Sequence, residues 1–202
     1  MRQPENSAAL FGNGEIILSQ TMRIKTEELK QRAPELKAGD KILLTGVVYT
    51  SRDAAHKRIN ALLDEGGKLP YELDGAVIYY AGPTPAPEGR PIGSCGPTTS
   101  GRMDKFAPRF LDLGLAAMIG KGERNGEVRD AVVRNGAVYL CAVGGAGALA
   151  ARCIKSCEVI AFEDLGCESV KRLYVEDFPL IVACDCRGGD VFTEGRKKYA
   201  VK

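Results

Sequence analysis

Short apolar runs rich in β-branched residues alternate with amphipathic stretches along this chain, and glycine, serine or threonine turns punctuate nearly every junction. That alternation restricts the chain to a sheet layered with helices. Lys41–Thr50 (KILLTGVVYT) reads as a strand. Ser51 follows as a candidate N-cap for a helix from Arg52 to about Leu63, with Ala55, Ile59, Leu62 and Leu63 on one face. Gly66–Gly67 stops it. Further strands are expected at Ala76–Ala81, Leu115–Ile119, Ala137–Val143, Val159–Phe162, Ser169–Val175 and Leu180–Ala183. Helices are expected at Thr26–Gln31 (Thr26 as N-cap), Met103–Leu113, Glu127–Arg134 and Gly147–Lys155. Strands also follow one another directly, so the expected class is α/β with a mixed central sheet.

With 202 residues, 45% of them hydrophobic, the chain can bury one good core. Lys and Arg number 28 against 26 Asp and Glu, a net charge of +2 that gives no nucleic-acid footprint. No apolar run approaches the roughly 18–20 residues that span a bilayer, and Met1–Gln20 has no signal-peptide core, so a cytoplasmic protein is expected. The seven cysteines match neither zinc nor ferredoxin spacing; Cys153 and Cys157, and Cys184 and Cys186, are the close pairs. They read as buried thiols in a reducing compartment, and no metal site is expected on this chain.

Three segments share one physical design. After Tyr49–Thr50, Ser51 is followed by Arg52 at a helix N-terminus, where unpaired N–H groups already attract anions. Gly96-Pro97-Thr98-Thr99-Ser100-Gly101-Arg102 sets three hydroxyls and a second arginine before Met103. The Leu115 strand delivers Lys121 between two glycines. Each hydroxyl could be a plain N-cap and each cation a solvated charge. Together they point to a site for a small di-anion, since arginine forks match carboxylates. His56, the single histidine, borders the apolar face of its helix and reads as structural.

A dinucleotide fingerprint is imitated at Gly145-x-Gly147-x-x-Ala150, with Glu163 placed like a ribose-binding acid. It falls too late in the chain for a full Rossmann domain. A tight, closely packed strand-to-helix turn is the expectation.

The same turns carry a specific resemblance. Thr45-Gly46, then Tyr49-Thr50-Ser51-Arg52-Asp53-Ala54-Ala55-His56-Lys57-Arg58, is similar to a signature of the β parts of class I, iron–sulfur-dependent hydro-lyases, the fumarase and L-tartrate dehydratase family. Tyr80-Ala81-Gly82-Pro83, Ile92 to Met103 (with GPTTSGRM the most specific piece), Ile119-Gly120-Lys121-Gly122 and Gly144 to Ala148 follow in the same order.

The resemblance implies a single swivelling β/β/α domain over residues 22–192, an N-terminal tail or arm at 1–21 and a C-terminal tail at 193–202. It implies a β subunit active only with a separate α subunit that carries a [4Fe–4S] cluster, assembled as α2β2 or around a β homodimer. It further implies that Arg52, Arg102 and Lys121 bind a dicarboxylate and that Thr98 moves the carbon-bound proton. The expected reaction is hydration of fumarate to (S)-malate. Tartrate dehydration is the alternative within the class, and a non-catalytic module with the same fold the alternative outside it. The choice of Thr98 over Thr99 rests on the resemblance alone.

Overall fold

The computed structural model describes residues 21–200. Its frame is one seven-stranded sheet. Strands β1 (Met22–Lys25), β2 (Lys41–Thr50), β3 (Val77–Tyr79), β4 (Ala117–Gly120) and β5 (Val138–Cys141) lie parallel in that order. The long strand β7 (Val170–Cys184) runs antiparallel to both β2 and β5, so it closes the array on itself, and β6 (Ile154–Ala161) pairs along its outer edge. The α/β class with a mixed sheet is what the chain adopts.

The two-residue side-chain period of the strands builds two cores. Ile42, Leu44, Val48, Val77, Tyr79, Ile119, Leu140, Leu173 and Val182 point inward, joined by Leu29, Ala33 and Leu36 from the segment after β1. The intervening Ile78, Met118 and Tyr139 face helices α2 (Asp53–Glu65), α3 (Ala107–Asp112) and α4 (Gly126–Arg134). Ala55 and Ile59, Phe110 and Leu111, and Val128, Ala131 and Val132 are the buried faces of those helices. The i, i+3, i+4 pattern of α4 follows from that packing.

Several boundaries differ from expectation for identifiable reasons. The run expected as a helix from Met103 divides into a 3₁₀ turn (Ser100–Met103) and α3, which begins at Ala107 because Pro108 suits only a first turn. Thr26 caps no helix, for its hydroxyl accepts from Val47 N at 3.1 Å; it is the first residue of a 3₁₀ turn (Thr26–Glu28) that leads into the single turn α1 (Leu29–Arg32). The strands expected at 169–175 and 180–183 are one strand, and β6 starts at Ile154, where α5 (Gly147–Cys153) ends. Residues 193–199, expected in a tail, form most of α6 (Val191–Tyr199), capped by Asp190. The expected N-terminal arm lies almost wholly outside the described residues. No helix among the described residues is long and apolar enough to cross a membrane.

Candidate active site

The parallel registers decide where the three cationic turns go. Thr50 pairs with Tyr79, Tyr79 with Ile119, and Gly120 with Cys141, so the C-terminal ends of β2 to β5 stand side by side. That edge, the C-terminal ends of parallel strands, is where α/β folds, open or closed, present ligand sites. Residues 97–100 are laid into it as a short extra strand. Thr98 N donates to Tyr80 O (2.7 Å), Lys121 N donates to Thr98 O (3.2 Å), and Ser100 N donates to Lys121 O (2.9 Å). Gly120 permits this approach: a Cβ there would stand 1.9 Å from Ser100 Oγ, which in turn accepts from Tyr139 OH at 2.8 Å.

The candidate side chains then meet. Arg102 Nη2 donates to Thr98 Oγ1 at 2.7 Å and pairs with Asp53 Oδ2 at 2.8 Å. Asp53 opens α2 directly after Arg52, whose side chain is 22% exposed and pairs through Nη2 with Glu168 Oε1 at 2.8 Å. The Lys121 stem passes Gly144, where an added Cβ would stand 3.5 Å from Cδ and 4.0 Å from Nζ. Arg52, Thr98, Arg102 and Lys121 therefore stand around one patch of the edge, with Arg102 and Lys121 exposed and Thr98 half-buried. Thr99, the rival hydroxyl, is exposed and makes no side-chain hydrogen bond to Arg102.

Ser51 corrects the expectation most directly. It is buried, and its hydroxyl bonds the His56 Nδ1 side-chain atom at 2.7 Å and not a backbone N–H of the helix. Arg52 occupies the N-cap position in extended conformation, and the free N–H of Ala54 is satisfied by Glu168 Oε2 at 2.9 Å. Burial raises the Glu168 carboxyl, but the Ala54 N–H and the Arg52 guanidinium outweigh it and hold it below the ordinary glutamate range. His56 is 0% exposed and stacks on Phe110 at 5.0 Å; burial, then the nearby Arg124 charge, lower it to about 3. It is neutral at working pH and does not face the patch.

Behind the patch, Arg124 is fully buried between the rings of Tyr80 and Tyr139, and its Nε donates to Asp104 Oδ1 at 2.7 Å. Asp104 Oδ2 accepts from Asn125 N at 2.8 Å, so one carboxylate ties the turn carrying Arg102 to the loop after Lys121.

A model of the Fumarase C-terminus family matches residues 4–195. The chain belongs to the Fumarase C-terminus family. It is 38% identical over 185 residues to "Fumarate hydratase class I, anaerobic" of Escherichia coli, covering 91% of this chain and 34% of that protein. It is 39% identical over 179 residues to "Putative L(+)-tartrate dehydratase subunit beta" of Methanocaldococcus jannaschii, covering 86% of this chain and 92% of that one. The Escherichia coli "L(+)-tartrate dehydratase subunit beta" is 33% identical over 185 residues, 89% of each chain. This Fumarase C-terminus chain thus spans about a third of the fumarate hydratases it matches.

Its cysteines do not fit a [4Fe–4S] cluster. Among the described residues no group of three or more His, Cys, Asp or Glu is placed to hold a metal ion. Cys95 and Cys184 are buried in the two cores, and burial pushes each thiol up to about 12, away from the thiolate a metal needs. The nucleotide-like turn also has a packing role. Gly147 O accepts from Cys95 N at 3.0 Å, and β6 pairs with β7 and not with β5, so the turn does not lead into a βαβ unit of paired parallel strands. Sequence reasoning missed Glu168, Asp53, and the Asp104–Arg124 pair; Glu168 lies 116 residues from Arg52 and leaves no local signal.

Proposed function

We propose that this Fumarase C-terminus chain is the β subunit of a class I hydro-lyase, a cytoplasmic two-subunit enzyme that hydrates fumarate to (S)-malate. The observation that carries the reading is the hydroxyl of Thr98 held by Arg102, beside Arg52 and Lys121 on one edge. A dicarboxylate needs cations for two carboxylates and a proton carrier facing a carbon, and this patch has both. Arg52 and Lys121 bind the carboxylate oxygens, and Arg102 stabilises negative charge as it develops. On hydration the Thr98 hydroxyl gives its proton to one olefinic carbon, the oxygen of water bonds the other, and the proton that this water sheds restores the hydroxyl. On dehydration the hydroxyl proton leaves with the departing hydroxide as water, and Thr98 Oγ1 takes the carbon-bound proton. A threonine hydroxyl is a very weak acid, and the Arg102 Nη2 donor is what makes an anionic Oγ1 accessible. The [4Fe–4S] cluster is held by the α subunit, and this chain's own steps do not pass through it. An α2β2 assembly, or a β homodimer at its centre, completes the reading.

The second reading, L(+)-tartrate dehydration, keeps the same anion-binding residues. It is supported by two β subunits of that name matched over 92% and 89% of their length. Co-expression with a cysteine-bearing α subunit, followed by fumarate and L(+)-tartrate assays, tests both. The isolated chain is expected to be colourless and inactive, and the complex brown and active on fumarate. Turnover of L(+)-tartrate alone would select the second reading, and inertness toward both would remove the proposal.

A further inference from the structure

Glu168 ends the β6–β7 connection, and both its carboxylate oxygens are used by the first turn of α2. The connection grips the helix a second time where Asp164 accepts from Nη1 and Nη2 of Arg58. Its own turn is fixed by Ser169 Oγ and Lys171 Nζ, both donating to Gly166 O. Glu168 is therefore held, and it holds Arg52. The guanidinium lies flat on Gly82, where an added Cβ would stand 2.8, 2.9 and 3.1 Å from Nη1, Cζ and Nε. Nε is buried without a partner and Nη2 is taken by Glu168. Nη1 is the nitrogen left to meet a ligand.

We infer that Glu168 is a positioning residue: its carboxylate, with the bare backbone of Gly82, fixes the Arg52 fork so that Nη1 faces the substrate carboxylate. The inference rests on the proposed role of Arg52 as a carboxylate binder. A plain helix cap would need only the Ala54 contact, whereas this carboxylate makes a second, charged one. An unclamped arginine samples many rotamers, and misplacing a binding group by about 1 Å can cost up to about 100-fold in rate.

The test uses the enzyme reconstituted with its α subunit and whichever of fumarate or L(+)-tartrate it turns over. Glu168→Ala is expected to raise KM at least about tenfold with a smaller change in kcat. Gly82→Ala, which presses on the same guanidinium while leaving the cap intact, should do likewise. Glu168→Gln keeps one acceptor oxygen and should lose less; it and Gly82→Ala carry the test if the Ala variant does not fold. In an Arg52→Ala background, Glu168→Ala or Glu168→Gln should change kcat/KM by less than about twofold, because the positioned group is gone. If Arg52→Ala alone behaves as wild type, the role given to Arg52 fails, and the inference with it. If Arg52→Ala is impaired while the Glu168 variants keep their KM, or the losses multiply, Glu168 is only a cap and the inference is overturned.

Discussion

His56 stands one turn into α2, where an active-site histidine would be sought, yet its ring is sealed among Tyr80, Phe106 and Phe110. The unfolded chain takes up a proton on this ring near pH 6.5, the folded chain only near 3. Below pH 6.5 the unfolded state therefore binds more protons. The stability tied to neutral His56 is complete above 6.5 and is lost as pH falls toward 3, at up to about 1.4 kcal/mol per pH unit. Denaturant titrations from pH 7 to 4 should show wild type losing stability faster than His56→Gln, and parallel curves would refute this. Arg102 differs from His56 in facing the solvent. Its Nη2 reaches both Thr98 and Asp53, which leaves the other nitrogens of the guanidinium to a substrate carboxylate, and an ammonium has no second nitrogen to offer. Arg102→Lys should therefore lower kcat/KM of the reconstituted enzyme roughly 10- to 100-fold, the worth of a charged hydrogen bond. Wild-type kinetics in that variant would remove Arg102 from the site.

Among the elements, the turn at Ser100–Met103 and the loop after β4 are tied together because Asp104 bonds Arg124 and Asn125. Asp104→Asn leaves the Arg124 charge buried with no counter-ion, a change that typically costs about 3–5 kcal/mol. Thermal melts of the isolated chain should show a large drop in Tm, and an unchanged Tm would mean that the pair does not buttress the turn. Elements with strong periodicity were legible in advance. Strand β2 occupies Lys41–Thr50 as read, because Ile42, Thr45, Val47, Val48, Tyr49 and Thr50 favour a pleat and Ser51 leaves it. Helix α4 starts one residue earlier than expected, at Gly126, after the Asn125 cap. The closure by β7 was not legible. Residues 176–179 separate the two strands expected there, and pairing with β2, across a register shift between Leu44 and Gly46, carries one strand through them. Ser51 misled for a related reason. Capping residues are recognised by type, whereas the carboxylate that caps α2 arrives from Glu168 at the far end of the chain.

At the scale of the whole molecule, the closed sheet is what turns three separated segments into one patch. Arg52, Thr98 and Lys121 follow β2, β3 and β4, and parallel pairing of those strands brings their ends together. The sequence shows three cationic turns at strand ends but carries no information on strand order, so convergence was not legible from it. Exposed Val143 precedes the Gly144 turn, which the Lys121 stem passes. The role proposed for Thr98 in the assembled enzyme is to move the carbon-bound proton. It is tested most directly by following exchange of that proton of malate with solvent in Thr98→Ala and Thr98→Ser complexes. The account predicts that Ser retains exchange, while Ala loses it together with at least about 100-fold in kcat and keeps its Tm. Exchange at the wild-type rate in Thr98→Ala would contradict it and assign the proton to Thr99 or to the α subunit.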